Sequence, residues 1–224
     1  MINQKTLDTI TINIKNAVGK SNNHITIIAV TKGFPEEAIL SAQKNGLYNI
    51  GESRVQETES KKNVITNKIT THFIGRLQKN KVRKAAHLYN IIQTVNSVQL
   101  AHRINAICDE INKKQKVYLQ VNIGRDVNKQ GFLPEKILEE SKKIKDLSHI
   151  IISGIMMIPP YIKINNTYRD YHKKTKEIQE TIFQSGALSC LDISMGMSRD
   201  YELAIEEGAT HIRLGTALFG ERQN

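Results

Sequence analysis

Ile25-Thr26-Ile27-Ile28-Ala29-Val30-Thr31-Lys32, followed at once by Gly33-Phe34-Pro35, is the stretch from which the rest of the chain can be read. The run is short, rich in β-branched residues and closed by turn residues, the pattern of a strand buried in a parallel sheet. Pro35 then opens a helical stretch, Glu36 to Lys44, because a helix's first turn has no hydrogen bond to lose to proline's missing N–H. Lys32 therefore stands at the carboxyl end of a core strand, just before a helix, where α/β folds carry their chemistry. Partial desolvation at such a position lowers an amine's pKa and makes it a nucleophile toward carbonyls. A surface lysine that merely ends a strand gives the same local pattern, so Lys32 needs company to mean more.

The same alternation continues to the end of the chain. Further strands are expected at Leu47–Ile50, Thr70–Ile74, Tyr89–Thr94, Lys116–Ile123, His149–Met157, Leu188–Ser194 and Thr210–Leu214. Helical stretches separate them: one from about Ser53, one from near Gln78, Val98 to Asn112 with Ser97 as N-cap, one opened by Pro134, Thr167 to Gln184, and Tyr201 to Glu207. Strand–helix alternation implies a parallel sheet with right-handed crossovers, and about eight such units close into a (β/α)8 TIM barrel. An extra helix, Leu7 to Val18, precedes it. An open doubly wound sheet is the competitor, but no Gly-x-Gly-x-x-Gly fingerprint follows the first strand. No linker or break in composition divides the chain, so residues 1–224 are expected to form a single domain.

A hydrophobic fraction of 39% with 24% charged residues is that of a globular protein with a real core. No apolar stretch approaches a membrane span and the start lacks a signal peptide's apolar segment, so a cytoplasmic home without membrane contact is expected. Cys108 and Cys190 have no partner at metal-ligand spacing, so both are expected to be reduced and structural, and no metal site is expected. The formal charge of +10 invites a nucleic-acid reading. The basic residues, however, lie in small groups: Lys79, Lys81, Arg83 and Lys84; Lys113, Lys114 and Lys116; Lys142, Lys143 and Lys145; Lys173, Lys174 and Lys176. No aromatic platform is interleaved with them, so they are read as solvated helix faces and no nucleic acid is expected as a partner.

The last two strand ends carry the other clue. Strand seven runs into Ser194-Met195-Gly196-Met197-Ser198-Arg199-Asp200, with Ser198 a suitable N-cap and Gly196 free to let backbone approach a ligand. Strand eight ends in Arg213-Leu214-Gly215-Thr216. Two adjacent turns of small residues and hydroxyls at helix starts suit a phosphate group; two ordinary capped helices would read the same way. Strand alternation puts His211, Arg213 and Gly215 on one face, and Arg213 could instead pair with a rim carboxylate. Strands one and eight are neighbours in a closed barrel, so Lys32, Arg213 and the phosphate turns converge. A lysine for an aldehyde, an arginine facing a ring and a phosphate cup are the minimal parts of a pyridoxal-phosphate site.

The chain resembles the pyridoxal-phosphate homeostasis protein family (the proline-synthetase-co-transcribed type), related in fold to the N-terminal barrel domain of alanine racemase. The segments that carry the likeness are Ala29–Lys32, Ile50-Gly51-Glu52-Ser53-Arg54-Val55-Gln56-Glu57, His72–Lys81, Gln120–Ile123, Ser153–Met156, Ser194–Ser198 and Arg213–Gly220. The resemblance implies that Lys32 holds pyridoxal 5′-phosphate as a Schiff base and that Ser198, Gly215 and Thr216 hold its phosphate. It also implies that Arg213 faces the pyridine nitrogen, that the backbone around Met197 lines the cup, and that Ser53 stands where a ring-hydroxyl contact is made. Ser53, Thr71 and Arg76 depart from the family's usual asparagine, tryptophan and proline. His72 reads either as a group at the barrel mouth or as a packed, hydrogen-bonded histidine.

The resemblance further implies a monomeric cofactor carrier, with apo pyridoxal-phosphate enzymes as recipients and a role in vitamin B6 and amino-acid homeostasis. The chain ends about one short helix after strand eight, so no second domain is expected to supply the opposing acid/base of a racemase. Significant catalysis is accordingly not expected. A weak amino-acid racemase and a basic nucleic-acid-binding barrel are the alternatives.

Overall fold

The computed structural model describes residues 1–19, 24–160 and 165–221. Its strands are β1 (Thr26–Val30), β2 (Asn49–Glu52), β3 (Thr70–Phe73), β4 (Ile91–Val95), β5 (Gln115–Val121), β6 (Ile150–Met157), β7 (Asp192–Met197) and β8 (His211–Leu214). They pair in parallel and in sequence order, and β8 returns to β1 to close a barrel. The eight-stranded TIM barrel read from the alternation is the observed fold. The extra helix α1 (Gln4–Val18) precedes it, and α2 (Glu37–Lys44), α3 (Val55–Ser60), α4 (Val82–Leu88), α5 (Val98–Glu110), α6 (Ile137–Lys145), α7 (Asn165–Gln184), α8 (Tyr201–Glu206) and α9 (Thr216–Phe219) follow the strands. Ser97 caps α5 as expected, its Oγ accepting the Leu100 N–H at 3.2 Å. Part of the loop expected after Pro160 lies outside the described residues.

Successive residues of a strand face opposite sides of the sheet, and this alternation sorts the barrel into two layers. Outward residues such as Ala29, Ile155, Ile193 and Ile212 join helix residues such as Ala38, Ala101 and Ile104 in one continuous core. Inside, a Cβ on Gly51 would meet Ile28 Cγ2 and Ile74 Cδ1 at 3.0 Å and Val30 Cγ2 at 3.6 Å. Ile91, Tyr118 and Met156 fill another part of the interior, with Ile158 packed on them. Among the described residues no helix is long and apolar enough to cross a membrane.

Three expectations are corrected. The seventh strand is not Leu188–Ser194 but Asp192–Met197: Leu188 and Leu191 are exposed turn residues, and their apolar character mimicked a strand start. The second strand extends through Gly51 and Glu52, past the expected end at Ile50. Glu52 is buried there because Lys61 and Thr31 meet its carboxylate. The group Lys113, Lys114 and Lys116 is not a helix face. Lys116 lies in β5, and Lys113 precedes it with its Nζ donating to the Tyr89 carbonyl at 2.9 Å.

Candidate functional site

The carboxyl ends of the strands open into a cleft of about 400 Å³. Lys32, Met197, Ser198, Arg213, Gly215 and Thr216 all line it, so six of the seven residues singled out in the sequence share one volume. Ser53 does not reach it. It lines a separate pocket of about 180 Å³ with Arg54 and Arg76. The cleft also holds Lys129, Tyr168 and Asp200, which sequence reasoning missed. Nothing in the sequence singled out Lys129, whose Nζ donates to the Pro159 carbonyl at 2.9 Å.

Lys32 reaches the cleft by simple alternation. Val30 faces inward, Thr31 outward with its hydroxyl on Glu52, and Lys32 inward again, two residues past the end of β1. Gly33 follows at φ 72°, a left-handed conformation that glycine adopts without steric cost, and it turns the chain toward α2.

On the strands that precede β1 around the barrel, the β7 and β8 turns are tied together differently from expectation. Ser198 is not the N-cap of α8; that position belongs to Asp200. The Ser198 Oγ instead accepts the Ala217 N–H at 3.1 Å, joining the β7 turn to the first turn of α9. Asp200 accepts the Met197 N–H at 2.8 Å through Oδ1, and its Oδ2 lies 3.1 Å from Nε2 of buried His172. Gly196 is needed for packing rather than for ligand approach. At φ 85° its Cβ would point away from the cleft and meet Ala204 Cβ at 2.6 Å. Gly215 behaves otherwise: a Cβ there would stand 3.5 Å from Val30 Cβ, an ordinary contact.

Arg213 is buried, 4% exposed, and its guanidinium is held by oxygens of Ser194 and Met157 rather than by a rim carboxylate among the described residues. Its Nη1 donates to Ser194 O (2.7 Å) and Ser194 Oγ (2.8 Å), and its Nη2 donates to Met157 O (2.7 Å). Burial pulls its pKa down to about 10, with Asp200 opposing, so it stays charged at neutral pH. From Arg213 a single file of hydrogen bonds crosses the barrel. The Ser194 hydroxyl donates to Gln93 Oε1 (2.8 Å), Gln93 Nε2 donates to His72 Nδ1 (2.9 Å), and His72 Nε2 donates to Asn49 Oδ1 (3.0 Å). The file assigns His72 its neutral tautomer, and burial with His211 nearby lowers its pKa to about 3. His72 is thus the packed histidine of the two readings, in the barrel interior.

A closed parallel barrel with a lysine at the mouth of its first strand and paired small-residue turns at its last two is the architecture of the alanine racemase N-terminal domain. The model of that domain family matches residues 6–223. Two pyridoxal phosphate homeostasis proteins align over most of the chain. That of Aquifex aeolicus is 35% identical, covering 92% of this chain and 90% of its own length. That of Synechocystis is 36% identical over 88% and 92%. PipY of Synechococcus elongatus, solved with pyridoxal phosphate bound, superposes with a TM-score of 0.85 at 32% identity, covering 96% of this chain and 99% of its own. An alanine racemase of Clostridium difficile, at 20% identity and a TM-score of 0.76, shares the fold over 57% of its length. This chain belongs to the pyridoxal phosphate homeostasis protein family.

Proposed function

We propose that this protein holds pyridoxal 5′-phosphate covalently on Lys32 and serves in vitamin B6 and amino-acid homeostasis, without significant turnover of its own. The observation that carries the reading is the convergence of Lys32, Arg213, Ser198 and Thr216 on one cleft. The cofactor supplies an aldehyde, which condenses with a primary amine with loss of one water. A cleft of about 400 Å³ suits a ligand of that size, and its donors match the ligand's chemistry. Lys32 presents the amine. Ser198, Gly215 and Thr216 offer hydroxyls and backbone N–H groups to a phosphate. Met197 supplies backbone to the same cup.

Arg213 argues for a carrier rather than a catalyst. Three hydrogen bonds hold its guanidinium and it keeps its charge, so a ring nitrogen turned toward it stays unprotonated and the ring is a weaker electron sink. On this reading apo-enzymes that need the vitamer are the recipients. The test is to add the vitamer to the purified protein, which should turn yellow, and then to mix the loaded protein with an apo-transaminase, which should gain activity. A Lys32→Ala variant should do neither.

One observation favours weak amino-acid racemisation as a second reading: the Tyr168 phenol lines the same cleft and could exchange a proton with a substrate. Solvent-deuterium uptake by an amino acid, lost in Tyr168→Phe, would support it.

A further inference from the structure

The motif Gly51-Glu52-Ser53-Arg54-Val55-Gln56-Glu57 has no part in lining the main cleft, yet its two carboxylates meet directly behind Lys32. Lys61, the residue that ends α3, is buried at 5% exposure. Its Nζ donates to Thr31 O (3.0 Å), Glu52 Oε1 (2.9 Å) and Glu57 Oε1 (2.7 Å). The Thr31 hydroxyl donates to the same Glu52 oxygen at 2.7 Å, and the Gly33 N–H donates to Glu57 Oε1 at 2.5 Å. The Thr31 N–H is meanwhile bonded to Gly51 O, and the Phe34 N–H to Thr31 O. The Thr31 carbonyl and the Gly33 N–H are therefore held from the outer side of the barrel, while Lys32 faces inward.

Such a cluster is costly to build. One ammonium serves two carboxylates, and Glu52 Oε2 is buried with no partner among the described residues. Burial raises the Glu52 carboxyl above its ordinary value despite Lys61 and Thr31. For Glu57 burial also acts upward, but the bonds from Lys61 and Gly33 outweigh it and leave the group below the ordinary range. Hydrophobic residues of similar volume commonly serve stability as well as buried ion pairs do, so stability alone does not account for the arrangement. A reactive side chain, by contrast, needs a backbone held to a fraction of an ångström.

We infer that Glu52, Glu57 and Lys61 are positioning residues that clamp the β1–α2 turn, so that the Lys32 amine is presented to an incoming aldehyde at a fixed place and angle. The inference rests on the reading of Lys32 as the capturing amine. Glu57→Ala and Glu57→Gln test it, since glutamine keeps an acceptor oxygen for both Gly33 and Lys61. Without cofactor, the Gly33 amide should exchange with solvent about tenfold faster in Glu57→Ala, the cost of one local hydrogen bond. With pyridoxal phosphate added, the visible band should appear about tenfold more slowly. Its circular dichroism per bound cofactor, which a merely structural role would not move, should fall. Glu57→Gln should return all three to within about twofold of the parent. A folded Glu57→Ala with Gly33 exchange and dichroism like the parent's would overturn the clamp. Lys61→Met should reproduce the Glu57→Ala effects; should it fail to fold, the Glu57 pair decides. If the parent itself gives no visible band, the Lys32 reading falls, and Gly33 exchange decides the clamp by itself.

Discussion

The two ends of the cleft are built from different materials. Behind Lys32 stands a buried ionic cluster of Glu52, Glu57 and Lys61, fastened to backbone on either side of the lysine. Behind the β7 and β8 turns stand hydrogen bonds from single side chains: Ser198 Oγ accepts the Ala217 N–H, and Asp200, itself against buried His172, accepts the Met197 N–H. On the proposed function, the difference follows from what each end would hold. A covalent bond at Lys32 would demand that one side chain leave a fixed backbone in one direction, which buried, multiply bonded surroundings supply. An anion is held by many weak donors at once, and tolerates small shifts in any one of them.

If that contrast is right, damage at the two ends should differ in kind as well as size. Lys61→Met removes the cation from the buried Glu52 carboxylate and the half-buried Glu57 carboxylate. It should cost about 3–5 kcal/mol of stability, seen as a fall in melting temperature of roughly 10 °C for a chain of this length. A loss below about 1 kcal/mol would mean that the cluster is a solvated surface pair.

The interior file that starts at Arg213 gives the next effect. His72 has a folded pKa of about 3, below the 6.5 of the unfolded chain. Between those values the unfolded state binds the extra proton, so stability is fully present above pH 6.5 and is lost as pH falls toward 3. From pH 7 to pH 5 this group alone should remove about 2 kcal/mol. Urea midpoints at the two pH values should show that slope, and His72→Gln should flatten it.

The smallest effect on the fold belongs to the phosphate turns. Gly215→Ala introduces only an ordinary contact with Val30, so it should change stability by less than about 1 kcal/mol. Yet it should weaken retention of pyridoxal phosphate about tenfold, because the added methyl stands where backbone must approach the ligand. An equal loss of stability and of binding would blur the contrast; binding left intact would remove Gly215 from the cup.

Much of this was legible in the chain because periodicity and strand ends carry it. The eight apolar runs, the lysine after the first and the arginine in the last are local facts, and closure of the barrel brings the first and last strands together. What was not legible depends on the third dimension. Lys61 lies in a polar stretch with Glu57 four residues before it and Lys62 after it, the signature of an exposed helical face. It is buried only because β1 and β2 bring Thr31 and Glu52 alongside. Ser198 read as a cap because serine before a helix usually is one, whereas its partner comes from the next turn of the barrel. Gly196 read as room for a ligand, but α8 occupies that room. The shift of β7 has the same origin: Leu188 and Leu191 are apolar without being buried, and hydropathy does not distinguish the two.

The central claim is that one amine at the mouth of β1 captures the aldehyde. Borohydride reduction of the protein loaded with pyridoxal phosphate, followed by protease digestion and mass spectrometry, tests it directly. The account predicts a single modified peptide, the one containing Lys32. Modification centred on another lysine, such as Lys129 in the same cleft, or no stable adduct at all, would contradict it.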